Sequence, residues 1–204
     1  MNTKKLYFIL STLLIYVSFF LGYIYKENSA GGGEIDFNHI YNNILLFKDY
    51  SILKIDWSKY ESTSLPIYYL IIKTLNIYNL KILEIFNLLI SIVSVLVFYK
   101  ILINIKIKHK LSVEKFVLFS ISSLILLSLY FRTSTFWILE ENIGYLFMLS
   151  SIYFSFKEKT VLNLFFSISF ACLAFYSRQS YAFVPIIIFL IALILKNYSL
   201  LKIF

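Results

Sequence analysis

Three short segments of this chain carry the residue types that acid–base and phosphate chemistry need. The first is Glu34-Ile35-Asp36-Phe37-Asn38-His39, directly after the flexible run Gly31–Gly33. Asp36 and His39 stand three residues apart and can share one face of a helix. A carboxylate there can take the proton of a hydroxyl as a general base; the plain alternative is a pair of solvated loop acids. A lone histidine is more often a hydrogen-bonded structural group than a ligand. The second segment, Tyr-Phe-Arg-Thr-Ser-Thr-Phe-Trp, holds Arg132, and the third, Tyr-Ser-Arg-Gln-Ser-Tyr, holds Arg178 and Gln179. Of 19 lysines and arginines only these two are arginine. Guanidinium is a planar, permanently charged fork that matches phosphate oxygens, where lysine is a point charge. The competing reading is an aromatic-flanked anchor snorkelling to lipid headgroups. Glu140 and Glu141 complement the dipole of the helix they begin, or pair with Arg132 or Arg178.

The elements that must position these groups are set by composition. The chain is 60% hydrophobic and 15% charged over 204 residues, with a mean hydropathy of +0.80. Soluble domains are about 45–50% apolar and about 25% charged. The excess has to face lipid. Six apolar segments can be drawn: Leu6–Tyr25, Ile85–Ile103, Phe116–Phe131, Asn142–Phe156, Val161–Tyr176 and Tyr181–Leu195. The first spans about 30 Å as a helix, longer than a cleaved signal requires, and reads as a retained signal anchor. Lysine placement sets the orientation. With the N-terminus cytoplasmic, the inner segments collect Lys4, Lys5, Lys100, Lys106, Lys108, Lys110, Lys115, Lys157, Lys159, Lys196 and Lys202 against Glu114 and Glu158. The outer segments hold most of the acids. That is the positive-inside pattern, and it explains the net charge of +8 without nucleic acid. Cys172 and the two histidines, His39 and His109, make no metal-ligand spacing, and there is no phosphate-binding glycine loop.

Residues 26–81 form a long first outer loop. In it Phe37, Ile40, Tyr41, Ile44 and Phe47 fall on one helical face, with Asn38, Asn42 and Asn43 off it, as in a helix lying in the membrane interface. Pro66–Leu75 is a second apolar stretch, too short to span, with proline at the first helical position and Ser62, Thr63 and Ser64 as caps. The expectation is one all-α membrane domain over 1–204: a signal-anchor helix (1–25), the outer loop with interfacial helices (26–81), and about five transmembrane helices (82–204).

The order of motifs resembles the polytopic (GT-C type) glycosyltransferases. They run from Glu-Ile-Asp-Phe-Asn-His (34–39) through Lys48-Asp49, Asp56-Trp57, Thr-Ser-Leu-Pro-Ile-Tyr-Tyr-Leu (63–70) and Phe-Asn-Leu-Leu-Ile-Ser (86–91). Leu-Glu-Glu-Asn-Ile-Gly (139–144) and Ser-Arg-Gln-Ser-Tyr (177–181) complete the series. The nearest resemblance is to the dolichyl-phosphate-glucose alpha-1,2-glucosyltransferase family, over about residues 1–190. Aligned on His39, Asp36 matches the second acid of that family's pair; the first falls on Ile35, with Glu34 one position earlier, which favours Asp36. Arg178 and Gln179 match its Arg-Gln pair, and Glu141 the acid before its glycine. Such enzymes are roughly twice this length, with about ten or more spans, so the resemblance covers the N-terminal part of such an enzyme and leaves this chain as a fragment, a split gene product or a reduced half.

The resemblance implies transfer of a hexose from a polyprenyl-phosphate donor to a hydroxyl of a lipid-linked or glycan acceptor at the non-cytoplasmic face. Asp36 and Glu34 are then the expected catalytic acids, and His39, Arg132, Glu141, Arg178 and Gln179 the expected substrate-binding set. No bound cofactor is required, although a divalent ion between Glu34, Asp36 and phosphate is compatible with the residues. The rival readings are a transporter, lipid carrier or assembly subunit, or an inactive truncated transferase. Charge-poor spans almost free of glycine and proline rank transport lower.

Overall fold

The computed structural model describes residues 3–50, 54–60, 62, 65–157 and 160–187, and among them the chain is all-α, without a strand. Two helices are long and apolar enough to cross a membrane, or three if a bent pair counts as one span. The first is α1 (Thr3–Ile24), about 33 Å long at helical rise. It ends where Lys26 turns left-handed, at φ 50°, and the Glu27 N–H reaches back to the Gly22 carbonyl at 2.9 Å.

The loop that follows is mostly helical and folds onto the bundle. It contains α2 (Gly33–Asp49) and α3 (Ile67–Leu75). Ile40, Ile44 and Phe47 of the expected apolar face are buried. Asn43 is buried with them, contrary to its place off that face, because its amide donates to the Tyr69 hydroxyl at 3.4 Å. Pro66 occupies the cap position, not the first helical one. Ser62 donates to Glu140 at 3.4 Å, and the other expected caps, 63 and 64, lie outside the described residues. The Lys73 ammonium closes the end of α2, donating to the carbonyls of Phe47 and, at 2.8 Å, Tyr50.

The second long helix is α4 (Leu80–Lys108), of 29 residues, capped by Asn79, whose side-chain oxygen accepts from the N–H groups of Lys81 and Ile82 at 3.0 and 3.4 Å. The expected third span, Phe116–Phe131, is not one helix. It divides into α5 (Lys115–Ser123), a 3-10 turn (Leu124–Leu127) and α6 (Leu129–Phe136), with a bend of 69°. The break falls at Ser128, whose backbone is extended at φ −64° and ψ 123°. Ahead of it, the hydroxyls of Ser122 and Ser123 both donate to the Phe119 carbonyl, at 2.8 and 2.9 Å, a back-bonding that favours bending. Ser128 then caps α6.

Helices α7 (Glu141–Phe156) and α8 (Val161–Ser177) form an antiparallel hairpin, as the short connection between them dictates. Ser151 and Ser167 exchange hydrogen bonds across it, each hydroxyl donating to the other's backbone carbonyl at 2.7 and 3.0 Å. Ala171, Ala174 and Ser177 continue the buried side of α8, and such small residues let helices approach closely. Of the expected sixth segment, 181–187 is described; the remainder lies outside the described residues.

The turn between α6 and α7 carries a conformational cost. Ile138 is left-handed at φ 58°, in the slot glycine usually fills, while Leu139 N–H bonds to the Ser134 carbonyl at 2.9 Å. A branched residue there costs about 1–2 kcal/mol. Ile138 is 1% exposed within the cluster formed by α2, α3 and α4, and burial of about 1.5–3 kcal/mol offsets the strain. This turn aims the two glutamates that follow it.

Three lysines mark one end of the bundle. Lys5 lies over the Phe116 ring, Lys108 over Phe156, and Lys157 over Tyr153 and Phe154. They gather where α1 and α5 begin and α4 and α7 end. The ends of α1 and α8 and the start of α7 meet at the opposite end.

Candidate functional site

At that opposite end is a cavity of about 450 Å³, within the range of small-molecule sites. Four segments wall it: Ala30, Gly31 and Asp36 from the first loop; Ile125, Ser128, Phe131 and Ser134 from the broken α5–α6; Glu141, Asn142 and Tyr145 from α7; and Arg178, Ser180 and Tyr181 beyond α8. The bend in the third apolar segment therefore forms a wall of the site.

Asp36 is held by the start of α2. Gly31 and Gly32 are left-handed, at φ 75° and 72°. The Gly33 N–H donates to the Asn28 side chain at 3.1 Å, and the Asp36 N–H to the Gly32 carbonyl at 3.0 Å. The Asp36 carboxylate is exposed at the cavity mouth.

Across the cavity, Arg178 follows α8 in extended backbone and its Nη1 pairs with Oε1 of Glu141. The other Glu141 oxygen accepts from the Ser134 hydroxyl at 3.1 Å, and its backbone carbonyl accepts from the Tyr181 hydroxyl at 3.3 Å. One carboxylate therefore orients the guanidinium and is itself oriented by α6. With its side chain 44% exposed, Arg178 can turn its remaining donors to an anion in the cavity.

Gly144 seats this turn. A Cβ there would lie 2.7 Å from the Tyr181 ring and 3.2 Å from Ser177 Cβ. Gly144→Ala is expected to push the 178–181 turn off α7. Overpacking of this kind lowers stability by about 1–3 kcal/mol. Mass spectrometry after arginine-directed labelling should show Arg178 reacting faster than in the parent chain; an unchanged rate would mean the turn does not depend on that contact.

Arg132 does not line the cavity. It is 7% exposed and points from α6 into α1, pairing with Glu27 and donating to the Ser18 hydroxyl and carbonyl at 3.0 and 2.9 Å. Glu34 is exposed in the first turn of α2, His39 is exposed one turn later, and Gln179 is exposed beside Arg178; none of the three lines the cavity. Among the described residues no three His, Cys, Asp or Glu side chains converge as a metal would require.

Glu140 and Asn142 leave Glu141 in opposite directions. Glu140 is buried beneath the first loop, where Ser62 and Tyr69 bond to it. Burial pushes the phenols of Tyr60, Tyr68 and Tyr69 up, and the Glu140 charge adds to it, so all three stay protonated at ordinary pH. The Asn142 amide nitrogen lies 2.6 Å from the Thr135 hydroxyl, 3.1 Å from Ser91 and 3.3 Å from the Phe131 carbonyl, tying α4, α6 and α7 together behind the cavity. Ser134 and Tyr181 lie in the two arginine-bearing segments without standing out there, and Tyr145 carries no signal in the sequence at all. Serine and tyrosine are common in this chain, and only the fold distinguishes these.

Comparison with known proteins finds no match: no family model, no curated protein and no solved structure.

Proposed function

We propose that this protein is a multi-pass membrane glycosyltransferase moving a hexose from a polyprenyl-phosphate donor to a hydroxyl acceptor at the non-cytoplasmic face. The observation that carries the reading is the convergence of Asp36, Glu141 and Arg178, from three distant segments, on one cavity. The acceptor oxygen attacks the anomeric carbon and the bond from that carbon to the phosphate oxygen breaks. Asp36 takes the hydroxyl proton as general base. Arg178, aimed by Glu141, binds the donor phosphate and stabilises the charge left on polyprenyl phosphate. The chemistry calls for no bound cofactor. In this reading α7, α8 and the expected sixth segment Tyr181–Leu195, which is described only to 187, bring the count to about six spans, and the end where Lys5, Lys108 and Lys157 gather is cytoplasmic.

The broken α5–α6 favours a second reading, because transporters build substrate sites at discontinuous helices. Full-length protein in nanodiscs, given labelled polyprenyl-phosphate hexose and lipid-linked or glycan acceptors, is expected to transfer label. Movement of intact donor across proteoliposomes without transfer would favour the carrier. Cysteine accessibility at positions 36 and 178 should report the same side of the membrane. Labelling from opposite sides would end the transferase reading.

A further inference from the structure

Arg132 is a buried cation that the proposed chemistry does not use, and its surroundings give it another role. Its partner Glu27 opens the loop that leads to Asp36. The pair leaves no room beside it: a Cβ on Gly22 would collide with the Glu27 carboxylate and the Arg132 guanidinium. The rest of the loop is held by the same side of the chain. Trp137 Nε1 donates to the Glu27 carbonyl at 3.2 Å, and the Ala30 N–H donates to the Thr133 hydroxyl at 3.1 Å. Gly33 lies so close that a Cβ would stand 2.7 Å from Trp137 and 2.9 Å from Thr133. Three residues after Gly33 comes Asp36. Ser134, between Thr133 and Trp137, holds Glu141 from the cavity side. One short stretch of chain thus grips both walls of the site.

We infer that Arg132 and Glu27 are positioning residues, a clamp that sets the first loop, and with it Asp36, against the Arg178–Glu141 wall. This rests on the transferase reading only for the role of Asp36; the placement of the loop is independent of it. The Arg132 guanidinium is buried while Glu27 is 26% exposed, so removing Glu27 strands a buried cation and loosens the hold on the loop.

The test uses the full chain with Cys172→Ala, and spin labels on Ala30→Cys and Ser180→Cys, which face the same cavity. The parent is expected to give one narrow distance distribution. Glu27→Gln should broaden it while helix content holds. Thr133→Val, which strands no charge, should broaden it too and decides the matter where Glu27→Gln fails to insert. In the unlabelled chain, Glu27→Gln should lower kcat on the order of 100-fold, the cost of misplacing a catalytic group by about an ångström, with little change in donor KM. A distribution as narrow in Thr133→Val and in inserted Glu27→Gln as in the parent overturns the clamp. A parent chain with a narrow distribution but no transfer of sugar overturns the transferase reading and leaves the clamp standing.

Discussion

Asp36→Asn is expected to lower sugar transfer by about 10²–10⁴-fold, the usual contribution of a general base, while expression and insertion stay at parent levels. The structure separates this effect from a structural one. The Asp36 carboxylate is exposed at the cavity mouth, and its backbone N–H, which asparagine retains, makes the bond to Gly32. An acid in the first turn of α2 also favours the helix dipole, but at an exposed position that is worth about 0.3–1 kcal/mol and cannot account for a loss of this size. Glu34→Gln is the internal control. Glu34 shares that first turn and stands outside the cavity, so its loss should cost the dipole contribution alone. Initial rates with labelled donor, at fixed amounts of inserted protein, compare the two. Parent-like turnover in Asp36→Asn would remove the base from the proposed mechanism.

Much of this arrangement can be read from residue order, and the failures have physical causes. Long apolar runs report helices directly, and α1, α4, α7 and α8 lie within a few residues of their expected bounds. Hydropathy does not register a bend. Phe116–Phe131 has the composition of one span, and the extended backbone at Ser128 that divides it leaves no mark in hydropathy, so the break that walls the cavity is not legible in the sequence. The lysine count separates the bundle's two ends and brings Asp36, Glu141 and Arg178 to the same one. It does not distinguish the two arginines. Arg132 and Arg178 have similar aromatic and hydroxyl neighbours in sequence, and one is buried in an ion pair while the other faces the cavity. Glycine is the signal that goes unused. The chain has five glycines in 204 residues, far below the average of about 7%. Gly31 and Gly32 supply the left-handed turn before Asp36, and Gly22, Gly33 and Gly144 lie where a Cβ would strike the clamp, α6 with its cap, or the arginine turn. In a chain this poor in glycine, all five stand where a side chain would strain the backbone or strike a neighbour.

Arg178→Lys retains the charge and is still expected to lose on the order of 100-fold in transfer, as when a transition-state donor is removed. In the protein the guanidinium meets Glu141 through Nη1, with the carboxylate fixed from behind by Ser134 and Tyr181. A fork can hold that carboxylate with one nitrogen and present the others, in a defined plane, to phosphate. An ammonium on a shorter, freely turning stem has no second arm. Engaged with Glu141 it faces away from the donor; engaged with phosphate it leaves Glu141 without its cation. Three variants separate charge from geometry. If the fork matters, Arg178→Lys should fall close to Arg178→Ala, and Glu141→Gln, which leaves the fork intact but unaimed, should keep more activity than either. If charge alone matters, Arg178→Lys should transfer sugar nearly as well as the parent, and Glu141 could no longer be held to aim the guanidinium. Donor binding measured apart from turnover locates the loss: a guanidinium that stabilises the leaving phosphate as its charge develops loses more in kcat than in affinity.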